Sequence, residues 1–409
     1  MNEEELIMKK ILALVLALAL CLTAVAVVAE TPAIDPEFKI GVILLHDEKS
    51  TYDLNFLNGI KEAQAELGLT DEQVKIIPNI AESEDCKNAA LDLVDEGCKV
   101  VFADSFGHET YLLDAAKECP DVQFCHATGT MAHTAGQDNF HDAFASIYEG
   151  RYLAGVAAGM KLNEIKAAGN LKGDVPMIGY VGAFTYAEVI SGYTSFYLGA
   201  KSICPDVIMK VQFTGSWYDE MEEKSAAEAL IAAGCDLISQ HADSMGAPQA
   251  CENAGIPDVS YNGSTVESCP NTFIVASRIN WAPYFKYIIE QGSKGEAIDV
   301  DWTGTIATGS VVLTDVNTAV AAEGTVEKME EVKAGLLDGS IKVFDTATEG
   351  FITKDGAALA SYMADVDTDD AFTPDTEVVA DGYFHESEFR SAPYFDVQID
   401  GIELLNSAF

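Results

Sequence analysis

The chain reads as an α/β protein built from parallel sheets and divided into two similar lobes. Three observations carry that expectation. Short apolar runs without a two-residue period mark strands buried on both faces. Amphipathic stretches of helical period separate them, and the alternation runs twice, in successive series of roughly 110–130 residues.

The first series opens with KIGVILL (39–45) as a buried strand, followed by a helical period over Leu54–Leu67 that stops at Gly68. VKIIPNI (74–80) is the second strand, and Asp85–Glu96 a helix closed by Gly97. CKVVFAD (98–104) and VQFCHAT (122–128) are further strands around a helix at Tyr111–Cys119. Asp142–Tyr148 reads as a strand running into a helix of unusually small residues, Gly150–Met160, suited to tight packing or to a crossing between lobes. The second series is MIGYVGA (177–183), a helix over 187–203, VIMKVQFT (207–214), a helix over 219–233 and CDLISQH (235–241). A helix at 246–254, PDVSYN (257–262), TFIVASRIN (272–280) and a helix at 281–291 complete it. Right-handed crossovers place the helices on both faces of each sheet. The pattern then weakens, although Gly324–Asp338 reads as a helix. Val366–Asp381 is acidic and turn-rich, read as a surface extension carrying most of the excess charge.

At 409 residues the chain exceeds what a single core supports, and 48% apolar residues is an ordinary globular share. Sixty-six acidic against 24 basic residues give a net charge of −42. Such a surface repels nucleic acids and anionic membranes, so no nucleic-acid partner is expected. Lys9 and Lys10 precede an apolar run from Ile11 to Leu22, with small residues at Ala24, Ala26 and Ala29. That is the layout of a secretory signal peptide, with a retained membrane tether as the alternative. Lipid attachment at Cys21 is a weak reading, because Leu20 before it is bulky. Either way the body of the protein is exported. Eight cysteines follow (86, 98, 119, 125, 204, 235, 251 and 269), none in CxxC or zinc spacing. Free buried thiols are expected, with Cys119–Cys125 and Cys251–Cys269 the candidate bridges in an oxidising compartment.

Motifs for phosphate loops, zinc proteases, nucleophile elbows and dinucleotide binding are absent. The seven histidines lack ordinary metal spacing, so neither a metal nor a cofactor is expected. Loop aromatics are the better candidates. Tyr52, Phe106 and Trp217 each follow a strand in a polar, Gly- or Ser-containing loop, on the sheet edge where open α/β folds bind ligands. Each ring alone is an ordinary packing residue. Three at equivalent places in two lobes point to a stacking site. Asp53, Ser105, Asp243, Ser244 and Asn262 stand beside them to fix orientation.

The segments EGRYLAGVAAGM (149–160), IGYVGAFTYAEVISGYTSFYLGAKSICPDV (178–207), TGSWYDEMEEKSAAEALIAAGCDLISQHADS (214–244) and INWAPYF (279–285) resemble the basic membrane protein family. These PnrA-like proteins are the extracytoplasmic solute-binding subunits of ABC importers. SFGH (105–108) and HATGT (126–130) are similar to that family's first-lobe motifs. The resemblance implies a type I periplasmic-binding-protein fold, two Rossmann-like lobes joined by a three-strand hinge. It implies lobes at 39–145 plus about 278–302 and at 146–277 plus about 303–345, after a signal segment (1–29) and linker (30–38) and before an acidic extension (346–409). It implies closure on a purine base or nucleoside, without bond chemistry, and docking on an ABC permease. A ligand-sensing receptor and an exported nucleoside hydrolase are the alternatives. By position, Tyr52 and Trp217 match the two aromatics that sandwich the base. Asn262 stands where nucleoside binders carry an Asp for the ribose, and Asn280 where they carry a late Lys, which favours a free base. The ligand-binding set is Tyr52, Asp53, Ser105, Phe106, Glu188, Trp217, Asp243, Asn262 and Asn280.

Overall fold

The computed structural model describes residues 34–347, 351–366 and 376–408. The expected export segment and the start of the linker lie outside them. Residues 36–409 form one compact unit, and its described part is built on two large sheets with helices on both faces, beside two small two-stranded ones near the C-terminus.

The first sheet contains β1 (Ile40–Ile43), β2 (Val74–Ile77), β3 (Val100–Ala103), β4 (Gln123–Ala127), β5 (Phe140–Ala145) and a later strand, Asp301–Gly304. Their helices are α1 (Thr51–Leu67), α2 (Glu84–Asp95) and α3 (Glu109–Glu118). The second lobe follows with α4 (Ile147–Ala167), β6 (Met177–Gly182), α5 (Ala187–Ile203), β7 (Ile208–Phe213), α6 (Glu220–Ala232) and β8 (Leu237–His241). Next come α7 (Gly246–Ala254), β9 (Asp258–Tyr261), β10 (Phe273–Ile279) and α8 (Ala282–Lys294). The strand at Asp301–Gly304 is β11, followed by β12 (Val311–Leu313) and α9 (Thr325–Leu337). The first sheet runs β11-β5-β4-β3-β1-β2 and the second β12-β10-β9-β8-β6-β7, closed at its edge by Ile402–Leu404. All neighbours are parallel except β10 with β12. Apolar runs such as IGVI in β1 are buried at every position, as a sheet covered on both faces requires.

Local chemistry sets the helix ends. The Ser50 hydroxyl caps α1 by accepting from the Asp53 N–H, and Gly68 ends it in the left-handed region at φ 71°. Asp219 caps α6 by accepting from the N–H groups of Met221 and Glu222. β5 ends at Ala145 and α4 starts at Ile147, so the strand expected through Tyr148 stops earlier and the helix is longer than expected. A single residue, Ser146, separates two apolar elements there, and composition offers no break between them. Small residues on α4 let α5 approach closely. A methyl group at Gly155 would lie 2.0 Å from the Phe196 carbonyl, and one at Gly199 2.0 Å from that of Tyr152.

The chain passes between the lobes at 145–147, 279–282 and 304–311. Trp281, fully buried at the second passage, stacks on Phe56 of α1 with ring centroids 4.5 Å apart. The C-terminal part is more than a surface extension. Phe344 and Phe395 stack at 4.3 Å and are buried, and Ile402–Leu404 adds a parallel strand beside β7. Nor does Val366–Asp381 carry most of the excess charge. It holds six acidic residues against an excess of 42, so the negative charge is spread along the chain. Each of the eight cysteines from Cys86 onward is free, and all but Cys119 are buried.

Candidate functional site

Between the lobes lies a slot with about 400 Å³ of atom-free space. Tyr52, Asp53, Ser105 and Phe106 line it from the first lobe, and Glu188, Trp217, Asp243 and Asn262 from the second. Asn280 is not among the lining residues. It sits at the second passage, where its Oδ1 accepts from the Ala282 N–H at 3.2 Å and helps start α8.

The first-lobe wall rests on carboxylates that hold backbone. Asp53 Oδ1 accepts from the His46 N–H at 2.7 Å, and Asp104 Oδ1 from the Leu45 N–H at 3.0 Å. Burial opposes the charge of Asp53, yet hydrogen bonds from His46 and Ser50 keep it below its usual range. Burial first, then the negative charge of Asp53, pushes Asp104 well above that range. Tyr52 donates its hydroxyl to the Asp104 carbonyl at 2.7 Å, which fixes the ring, and meets Phe56 edge-on. Ser105 Oγ donates to Glu82 at 2.6 Å. Phe106 stands at the rim, 42% exposed.

On the second-lobe wall, Trp217 meets Phe184 edge-on at 5.0 Å and lies 6.1 Å from Tyr186. Tyr186 also reaches Phe106 across the cleft at 5.5 Å, so rings of both lobes touch at the mouth. The Asp243 N–H donates to the Trp217 carbonyl at 2.9 Å and ties the two site loops together. Burial, then Glu223 and Asp53, pushes the Asp243 carboxyl well above its usual range. One of its oxygens accepts from Asn262 Nδ2 at 3.1 Å, and the other has no hydrogen-bond partner among the described residues. His241, kept neutral by burial, reaches Glu188 at 3.3 Å. Behind Tyr261 lies Arg151, fully buried, 4.4 Å from that ring's centroid and donating to the Gln240 carbonyl at 3.0 Å.

The lobes also bond directly. The Thr51 N–H and hydroxyl both reach the Asp243 carbonyl at 3.2 Å, and Asn55 Nδ2 donates to the Asn262 carbonyl at 2.9 Å. Two non-glycine residues with left-handed backbone, Thr128 (φ 68°) and Asn262 (φ 63°), line the slot. Such strain, of order 1–3 kcal/mol per residue, gathers at ligand clamps.

Sequence reasoning missed Leu45, His46, Thr128, His241 and Tyr261 on the slot, and Phe184 and Tyr186 beside Trp217. Tyr186 follows β6 as Trp217 follows β7, so the same topological rule finds it. One cluster of metal-ligand type exists among the described residues: Glu109, His126 and Asp142, with donor atoms within 4.8 Å of one another. Its carboxylates already serve a loop, Glu109 accepting from the Thr130 and Met131 N–H groups and Asp142 from that of Ala132. A methyl at Gly129 would lie 2.0 Å from Asp142 Oδ1 and 2.6 Å from His126 Nδ1, so backbone occupies the space between them. The cluster reads as a loop anchor.

Two parallel-sheet lobes with a cleft at the carboxyl edges of both sheets define the two-lobed type I periplasmic-binding-protein fold. Solved structures agree on the fold. A solute-binding protein from Conexibacter woesei superposes with TM-score 0.60 at 19% identity, covering 75% of this chain and 98% of its own. One from Aeropyrum pernix gives 0.61 at 18%, covering 75% and 93%. The chain belongs to the PnrA-like family of ABC transporter substrate-binding proteins, whose model matches residues 44–343. Similar relatives include a purine-binding protein of Brucella abortus, 36% identical over 52% of this chain and 57% of its own. A nucleoside-binding protein of Lactococcus lactis is 30% identical over 37% and 39%. The chain spans about half the length of the curated relatives it matches, 57% and 49% of two of them. No helix among the described residues is long and apolar enough to cross a membrane.

Proposed function

We propose that this protein is the exported solute-binding subunit of an ABC importer and grips a purine base or nucleoside between its lobes. The observation that carries this reading is the slot, lined by Tyr52 from one lobe and Trp217 from the other. Stacking of a planar ring on such side chains is worth about 1–3 kcal/mol each. Asp243, whose carboxyl burial pushes well above its usual range, lines the slot beside Asn262 and places polar atoms where a heterocycle edge can bond. The names of the Brucella and Lactococcus relatives support the same ligand class. Among the slot carboxylates, Asp53 accepts from the His46 N–H and Asp243 from the Asn262 amide, roles that support binding without bond chemistry. Membrane delivery follows from docking of the closed form on a permease.

Titration of the purified protein with adenine, adenosine, guanosine and glucose tests the reading by calorimetry, with chromatography of the same mixtures for released base. Purine binding with no hydrolysis is expected. Glucose binding with no response to any purine overturns the ligand class, and release of free base overturns the binding role. A sensor without a transport role is the second reading. It is favoured by matches of 26% and 27% identity to two receptor-like proteins of Dictyostelium discoideum, over about half of this chain and 28% and 27% of theirs.

A further inference from the structure

Trp217 and Asp243 stand on different loops, after β7 and β8, and the sheet does not bring those loops together. β6 lies between the two strands, so their carboxyl ends are two strand spacings apart, about 10 Å. Two ties cross that gap. One is the bond from the Asp243 N–H to the Trp217 carbonyl. The other is the side chain of Glu223, in the first turn of α6.

Glu223 is fully buried and does not line the slot. Its Oε1 accepts from the Asp219 N–H at 3.1 Å and from the Ser244 N–H at 3.2 Å, and its Oε2 from the same Ser244 N–H at 3.2 Å. One carboxylate thus takes a donor from each loop. The turn after Ser244 presses on the same part of α6. A methyl group at Gly246 would lie 2.3 Å from the Glu220 carbonyl, so backbone packs on backbone there.

Stability alone does not call for an acid at this place. Burial raises the Glu223 carboxyl to about 7. Its charged neighbours Asp219 and Asp243 are acidic too, and Lys224 beside it turns to Glu228 at 3.9 Å. A buried carboxylate among acids costs free energy that an apolar side chain would not. What it supplies is a fixed distance between two loops, the support that a binding site needs behind its contact groups. We infer that Glu223 is the positioning residue of the second-lobe wall, holding the loops of Trp217 and Asp243 at the spacing at which both meet one ligand. It touches no ligand itself. This role rests on the reading of the slot as the ligand site.

The test compares Glu223→Ala, Glu223→Gln and Ile231→Ala in the full chain, with melting temperatures followed throughout. Gln keeps an oxygen where Oε1 serves both loops. Ile231 lies at the other end of the same helix and packs against the lobe core, so its variant lowers stability without touching the tie. Calorimetry with adenine and adenosine is expected to show a loss of at least about tenfold in Glu223→Ala, within the range for one misplaced stacking face. The other two variants are expected to stay within about threefold of the parent. Hydrogen exchange of the ligand-free protein reads the loops without any ligand. Residues 215–219 and 242–246 are expected to exchange at least about tenfold faster in Glu223→Ala alone. Where Glu223→Ala does not fold, Glu223→Asp, one methylene too short to reach both loops, takes its place. Unchanged affinity in that variant, an equal loss in Ile231→Ala, or no recovery in Glu223→Gln overturns the positioning role alone. Binding of neither purine by the parent overturns the purine reading, and the exchange rates then decide the role of Glu223: faster loops uphold it and unchanged loops overturn it.

Discussion

Replacing Trp217 by Ala is the sharpest probe of the slot, because it removes a ring and little else. The Trp217 side chain is half-buried and packs against Phe184 and Tyr186, which are themselves partly exposed. The link between the site loops runs through its main chain, from the Asp243 N–H to the Trp217 carbonyl, and survives truncation. Loss of one stacked face costs about 1–3 kcal/mol, which is about 5- to 150-fold in Kd at 1.4 kcal/mol per tenfold. Trp217→Phe keeps a smaller ring in place and is expected to fall between the parent and the alanine variant. Calorimetry gives the affinities, and intrinsic fluorescence gives an independent view. Trp281 and Trp302 do not line the slot, so ligand-dependent quenching is expected to vanish with Trp217. An unchanged Kd for Trp217→Ala, or equal losses for Ala and Phe, would show that the ring does not stack on the ligand.

Asn262→Asp removes the amide that donates to Asp243 and sets a second carboxyl beside it. Destabilisation of about 1–3 kcal/mol is expected, with partial recovery in the Asn262→Asp, Asp243→Asn pair; a melting temperature equal to the parent's refutes the contact. Burial raises Glu223 and Asp258 to about 7 and Glu386 to about 8. The unfolded chain releases those protons near pH 4, so this contribution is complete below pH 4 and lost as pH rises through about 7–8. Melting temperature is expected to fall across that window, less steeply in Glu386→Gln, and a rise in the parent refutes the assignment. Burial also lifts the thiols of Cys86 and Cys125 to about 12, and those of Cys98 and Cys204 to about 11. A thiol reagent is expected to reach at most Cys119 of these eight in the native protein and all eight after denaturation without reductant; two missing thiols would reveal a disulfide.

Much of the fold was legible because parallel strands buried on both faces read as unbroken apolar runs, as in IGVI and VVFA. The start of α4 was not legible, because β5 meets it across one residue and both are buried. Tyr52, Trp217, Asp243 and Asn262 could be picked out because the carboxyl ends of parallel strands face the cleft. Asn280 also follows a strand, β10, but the chain leaves the second lobe there and the side chain turns to α8. Glu109, His126 and Asp142 meet only through the sheet and its loop, and their spacing carries no signal. The C-terminal part lacked any period to read. Its contribution comes from single bonds to Asp301, Tyr193 and Thr185, which no pattern announces.

The contacts that join the lobes explain how a ligand can control closure. Thr51 reaches the Asp243 carbonyl, and Asn55 the Asn262 carbonyl and side chain. Each such neutral bond contributes about 0.5–1.5 kcal/mol net, so these bonds together are worth only a few kcal/mol. The second-lobe acceptors belong to the residues whose side chains line the slot. Opening therefore withdraws α1 from the loop that carries Asp243, and closing restores both walls at once. A ring touching Tyr52 and Trp217 together has its second stacked face only in the closed form. Its differential affinity, about 1–3 kcal/mol for that face, is comparable with the bonds between the lobes. That match lets a small planar solute shift the population of a hinge whose own contacts leave it poised.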